Sequence, residues 1–178
     1  MSKRPQRIGT YLNIGVIGGS QPELKYAEIA YDVGKLLALK GAVLICGGLS
    51  GIMASAAKGA YEAGGITVGI LPGLSAGEGN EFLSVRIPTG IGYARNFLIV
   101  RASDALVAID GSNGTISEAS FAIAEGKTVV SIDSTELRKE KDGEGDFVKA
   151  ESAVEAVEKA VKAAADHRQK ANKLPPYD

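Results

Sequence analysis

Short apolar runs that stop at glycine, separated by stretches of helical spacing, constrain this chain more than any other feature. Residues 12–17 run into Gly18-Gly19-Ser20, residues 42–46 into Gly47-Gly48, residues 66–71 into Pro72-Gly73 and residues 105–109 into Asp110-Gly111. Two further runs lie at 83–87, stopped by Pro88, and at 128–132. Their hydropathy is continuous, not alternating, as in strands buried on both faces. Between them, residues 22–40, 50–63, 93–102 and 114–126 read as helices. In the first, Pro22 suits the opening turn and Gly41 the stop. Residues 136–149 are charged and contain glycine, and read as a surface connection. Residues 151–168 read as a last helix, with Val154, Val157, Val161 and Ala164 on one face. Strands alternating with helices predict an α/β fold, a single Rossmann-like domain whose mostly parallel sheet carries helices on both faces. The expected domain spans residues 11–170, with flexible tails at 1–10 and 171–178.

Bulk properties remove several function classes. The 178 residues include 20 basic and 21 acidic side chains, a net charge of -1, so neither nucleic acid nor an anionic membrane is an expected partner. Cys46 is the only cysteine and His167 the only histidine. That rules out an internal disulfide framework, suits the cytoplasm, and leaves neither a zinc site nor a histidine-based triad to defend. Residues 1–10 have no apolar stretch of the kind a signal peptide needs. No run is long enough to span a membrane.

In a parallel sheet ligands gather at the carboxyl ends of the strands, where these glycines fall. The most informative turn is Asp110-Gly111-Ser112-Asn113-Gly114-Thr115, a strand running straight into a helix. Glycine lets an anion approach backbone N–H groups closely, and the helix start adds unpaired N–H groups and the positive end of its dipole. Thr115 offers a hydroxyl. An ordinary strand-to-helix turn uses the same residue types, and Thr115-x-x-Glu118 also matches a helix capping box. Cap and ligand contact therefore both stand. Gly18, Gly19, Ser20, Gly47, Gly48 and Gly51 are further phosphate-binding candidates. Arg95 and Asn96 open the 93–102 helix, and Arg101 and Asp104 read as a surface ion pair. Neither a dinucleotide fingerprint nor a Walker A loop is present, which disfavours nicotinamide dinucleotides and nucleoside triphosphate hydrolysis. No metal and no separate cofactor is expected. Cys46 reads as a buried strand residue.

Taken together these turns resemble the LOG family, the cytokinin-activating nucleoside 5'-monophosphate phosphoribohydrolases, and the wider superfamily that includes molybdenum cofactor carrier proteins. The resemblance covers roughly residues 13–132. It rests on Gly47-Gly48-Leu49-Ser50-Gly51-Ile52-Met53, on the glycine pattern from Gly64 to Pro72, and on the spacing from Arg95 to the Asp110–Glu118 turn. It implies Arg95 and Glu118 as the catalytic pair, glycine turns holding a phosphate, and a homodimer or larger homo-oligomer. This chain departs from the phosphoribohydrolase pattern at Asp110 (proline there), Ser112 (glycine) and Asn96 (lysine). Its Gly92-Tyr93-Ala94-Arg95-Asn96 form looks closer to the carrier branch. Two functions are thus implied. One is hydrolysis of the N-glycosidic bond of a nucleoside 5'-monophosphate to base and ribose 5-phosphate. The other is non-catalytic carriage of a phosphorylated ligand such as molybdenum cofactor.

Overall fold

A computed structural model of the chain describes residues 11–111 and 113–171. The tails expected at 1–10 and 171–178 lie outside these, apart from Ala171, which ends the last helix. The elements are β1 (Asn13–Gly18), α1 (Leu24–Leu39), β2 (Val43–Cys46), α2 (Ile52–Glu62), β3 (Ile66–Leu71), β4 (Val85–Pro88), α3 (Asn96–Ala102), β5 (Ala105–Ile109), α4 (Asn113–Ala124), β6 (Val129–Ile132), β7 (Phe147–Lys149) and α5 (Ala153–Ala171). Short 3-10 helices at Ala76–Glu78 and Gly92–Arg95 complete the elements of the described residues.

The strands form one sheet in the order β4-β3-β2-β1-β5-β6-β7, and every neighbouring pair is parallel. The strand β7 is a correction to the sequence reading, which placed residues 136–149 in a surface connection. It is three residues long, lies at the sheet edge and alternates no apolar side chains, so it carries little hydropathy signal. At the other edge β4 is exposed along its length and ends at Pro88, which an edge strand tolerates.

Alternate residues of the buried strands serve two cores. Ile14, Val16, Leu44, Val107 and Ile109 pack under α1, α2 and α5, while Ile17, Ile45, Leu106 and Ala108 pack under α3 and α4. On α5 the buried stripe is Ala156, Val157, Ala160 and Ala164. Val154, expected on that face, is 54% exposed. The buried stripe is centred on Ala153, Val157, Ala160 and Ala164, and Val154 points about a quarter-turn away from it.

The amino-terminal edge of the sheet is fastened by charge. Asp104 accepts from the Asn13 N–H at 2.7 Å and takes two bonds from the Arg168 guanidinium, each 3.0 Å. Arg101 pairs instead with Glu125 at 2.6 Å, so the ion pair expected between Arg101 and Asp104 is replaced by two pairs with later elements. The buried Lys127 ammonium donates to the Val100 and Arg101 carbonyls at 2.6 and 3.2 Å, capping the end of α3.

Helices α1 and α2 cross in backbone contact. A Cβ on Gly34 would lie 1.9 Å from the Ala56 carbonyl oxygen, and one on Gly59 would lie 1.9 Å from that of Tyr31. Both contacts are with main chain, which cannot step aside as a side chain can. Alanine in place of glycine gains about 1 kcal/mol of helix propensity, whereas overpacking costs roughly 1–3 kcal/mol. Because the clash is with main chain at 1.9 Å, the cost falls at the upper end, and Gly34→Ala is expected to lower the unfolding free energy by about 2 kcal/mol in urea titration. An unchanged or raised midpoint would show that the helices can part.

Candidate ligand cleft

Because the chain moves from β1 outward to β4 and then crosses to β5 on the other side of β1, the strand order reverses between β1 and β5. In parallel sheets the turns leaving the carboxyl ends of two such strands diverge, and ligands characteristically bind at this switch point. The Gly18-Gly19-Ser20 turn lies on one side and Asp110-Gly111 on the other. The Asp110 Oδ2 sits 3.7 Å from where a Gly19 Cβ would be. The β2 turn closes in from the flank. A Cβ on Gly51 would meet the Gly19 and Ser20 backbones at 2.4–2.6 Å. The Ile52 N–H donates to the Gly19 carbonyl at 3.0 Å, and the Ser50 hydroxyl to that of Ser20 at 3.4 Å. One donor at the start of α2 is thus spent on the neighbouring turn.

The Asp110 turn is also partly self-satisfied. Asp110 is held at φ +51°, a conformation uncommon outside glycine. Its carboxylate accepts the Gly111 N–H at 3.0 Å. Asn113 and Gly114 are exposed in the first turn of α4, and Thr115 is buried one residue further on. Ser112 lies outside the described residues. Helix α4 begins at Asn113, so Thr115 and Glu118 stand inside it. The capping box drawn on these two residues does not form, because a cap residue must be extended and precede the first turn. Their burial has another cause: both lie on the face of α4 turned toward the sheet.

Arg95 and Glu118 come from different helices and meet electrostatically. Arg95 ends the 3-10 turn before α3 and is 5% exposed; Glu118 is 6% exposed. The guanidinium lies against the backbone of Gly47, where a Cβ would stand 2.3 and 2.5 Å from Nη1 and Nη2. Glycine at 47 is the seat that admits the arginine. No hydrogen bond or ion pair joins Arg95 to Glu118 directly. Each shifts the other's titration. The Arg95 Nε is buried and has no hydrogen-bond partner.

Burial dominates this electrostatics. It pushes the Glu118 carboxyl up to about 7, against the pull of Arg95 in the other direction. It also lowers the Arg95 pKa, opposed first by Glu118 and then by Cys46. Cys46, at the end of β2, is within reach of both charges. Burial pushes its thiol up to about 11, with a bond involving the Gly48 backbone and the Arg95 charge acting the other way. Neighbourhood to this pair was not legible for Cys46 from its sequence position, since a cysteine closing an apolar strand has no polar context. Asn96, next to Arg95, is half-buried on α3. Among the described residues no group of three or more histidine, cysteine or carboxylate side chains could hold a metal ion. No helix there is long and apolar enough to cross a membrane.

The chain matches the SLOG cluster4 family over residues 11–162. An uncharacterized protein of Archaeoglobus fulgidus is 49% identical over 121 residues, 68% of this chain and 80% of that one. Among solved structures, the molybdenum cofactor binding protein from Rippkaea orientalis superposes with a TM-score of 0.79 at 31% identity, covering 87% of this chain and 98% of that one. The molybdenum cofactor carrier protein from Chlamydomonas reinhardtii does so with a TM-score of 0.77 at 29% identity, covering 87% and 99%.

The raised Glu118 pKa fixes a pH signature. A carboxyl titrating near 7 when folded and near 4.5 when unfolded binds its proton more tightly in the folded state. Its contribution is present below pH 4.5 and is lost as the pH rises through 7, on the order of 3 kcal/mol in all. Glu118→Gln lacks this loss. The stability of the variant relative to the parent is expected to climb between pH 5 and 8 in denaturant titrations. Parallel pH profiles for the two proteins would show that Glu118 titrates as an ordinary exposed carboxylate.

Proposed function

The chain belongs to the SLOG cluster4 family, and from that membership and the cleft's geometry we propose that it binds and carries a small phosphorylated ligand of the molybdenum cofactor type. The observation that carries this reading is the buried Arg95 guanidinium with an unpartnered Nε–H. A buried donor left unpaired costs about 1–3 kcal/mol, and ligand oxygens presented to the guanidinium recover it. The donors of α4's first turn, at Asn113 and Gly114, supply the second anchor, for a phosphate. A carboxyl poised near neutrality suits a heterocycle with both donors and acceptors along its edge. In its neutral form Glu118 donates, and in its ionised form it accepts from ring N–H and amino groups.

Carriage is preferred over hydrolysis for two reasons on the same cleft. A carboxylate that stabilises an oxocarbenium-like transition state must be ionised. Burial holds Glu118 back from that form at neutral pH. Asn96, half-buried beside Arg95, also carries no charge where the phosphoribohydrolases that the chain resembles have lysine. Hydrolysis of a nucleoside 5'-monophosphate is the second reading, favoured by the retention of both Arg95 and Glu118.

A homodimer fits this reading. Its proposed face is α3 with α4, where Leu98 and Phe121 are exposed large apolar side chains and Phe97 stacks edge-on against Phe121 at 5.5 Å. A cytoplasmic site of action is proposed as well, in keeping with the free, buried Cys46.

The test sets the two readings against each other. Molybdenum cofactor released anaerobically from a molybdoenzyme, at about a hundredfold over its Kd, is expected to raise the melting temperature by roughly 5–10 °C. Arg95→Ala is expected to abolish that rise. A panel of nucleoside 5'-monophosphates is expected to yield no free base by chromatography. Base release that disappears in Glu118→Ala would overturn carriage in favour of hydrolysis.

A further inference from the structure

The connection between β3 and β4 reaches back across the sheet to the turn on which Arg95 rests. Its agent is Asn80. The Asn80 backbone N–H donates to the Gly48 carbonyl at 2.9 Å, and its side-chain amide donates to the Gly48 and Leu49 carbonyls at 3.1 and 3.0 Å. The remaining groups of the residue are engaged too. Its Oδ1 accepts the Phe82 N–H at 3.1 Å, and its carbonyl accepts from Arg86 at 3.1 Å. A half-buried asparagine with every polar group matched is held in one orientation.

The turn it grips has no slack toward β3. Gly48 has a φ of +74°, and a Cβ there would lie 2.5 Å from Leu71 and 3.1 Å from the Gly69 Cα. On the other side the turn meets Arg95, whose terminal nitrogens lie at contact distance over Gly47. The carbonyls that Asn80 holds thus belong to the one and two residues after the guanidinium's seat. Movement of the turn by a few tenths of an ångström displaces the guanidinium by a similar amount, since main chain and cation are already in contact.

We propose that Asn80 is a positioning residue, which sets the place of the Arg95 guanidinium in the cleft by clamping the Gly48 and Leu49 carbonyls. The inference rests on the reading that Arg95 meets the ligand. No local motif announces it: Asn80 lies in a glycine-rich polar loop whose partner turn is some thirty residues earlier, at |i−j| of 32 and 31.

The test uses the full chain with inorganic phosphate and adenosine 5'-monophosphate as probes, and the Arg95 Nε–H resonance in 15N-labelled protein, identified by its loss in Arg95→Lys. Asn80→Ala is expected to move or broaden that resonance and to weaken probe binding about tenfold, the order of effect seen when a supporting residue behind a binding group is removed. Ser75→Ala is the control. It breaks the small capping box at the far end of the same connection, where Ser75 Oγ accepts the Gly77 N–H at 3.1 Å and Glu78 accepts the Ser75 N–H at 3.3 Å. It is expected to lower stability without moving the resonance or the affinity. If Asn80→Ala leaves the resonance in place, or if Ser75→Ala moves it as much, the positioning role is overturned. If Arg95→Ala does not weaken probe binding, the reading of the cleft fails instead, while the resonance still decides whether Asn80 governs the arginine.

Discussion

Every strand of this sheet points the same way, and the rest of the molecule follows from that. In a parallel sheet each turn that leaves a strand's carboxyl end emerges at one edge, so residues distant in sequence are brought side by side there. Gly19 lies beside both Gly51 and Asp110, which come from two other turns. The strand order reverses between β1 and β5 at this edge, and two helical segments, the 3-10 turn before α3 and α4, each bury one charged side chain beside it.

Those charges sit in a contest between desolvation and Coulomb attraction. A surface pair of this kind contributes little either way. Here both groups are nearly fully buried, and desolvation is the larger effect on each. The outcome is a cation lacking one of its hydrogen bonds beside a carboxyl partly protonated at neutrality. A direct ion pair would settle both groups, but it would also consume the donors and acceptors that a ligand needs. Buried groups whose titration is shifted by desolvation beside an opposite charge are common at sites that bind charged or polar ligands.

Much of this architecture was legible in the chain. The continuous apolar runs, four of them leading into glycine turns, located six of the strands to within a few residues, and their alternation with helical spacing pointed to the parallel sheet. The carboxyl-end glycines located the edge at which the turns after β1, β2 and β5 gather. What was illegible depended on partners far away in sequence. Strand β7 owes its existence to pairing with β6 rather than to its own three residues. Asp104 and Arg101 look like each other's partners from spacing, yet each binds a residue of a later element. Thr115 and Glu118 matched a cap because a capping box and a helix interior share the same i, i+3 interval, and only the position of the helix start separates them. The burial of Arg95 had no local sign, because its cause is the missing side chain at Gly47.

The ionic fastening at the opposite edge has a consequence for how such a protein can change over generations. Asp104 with Arg168, and Lys127 with the end of α3, tie together β1, β5, β6 and the helices at the pole away from the crevice. None of these residues reaches the cleft, and none of the cleft's charged residues takes part in the fastening. On the proposed reading, folding and recognition fall at different ends of one scaffold. Substitution at the rim, including at Asp110 and Asn96, would then change what is bound while leaving the fastened pole to sustain the fold. Such separation makes a scaffold evolvable: selection can explore new chemistry at one pole without crossing the threshold of stability at the other.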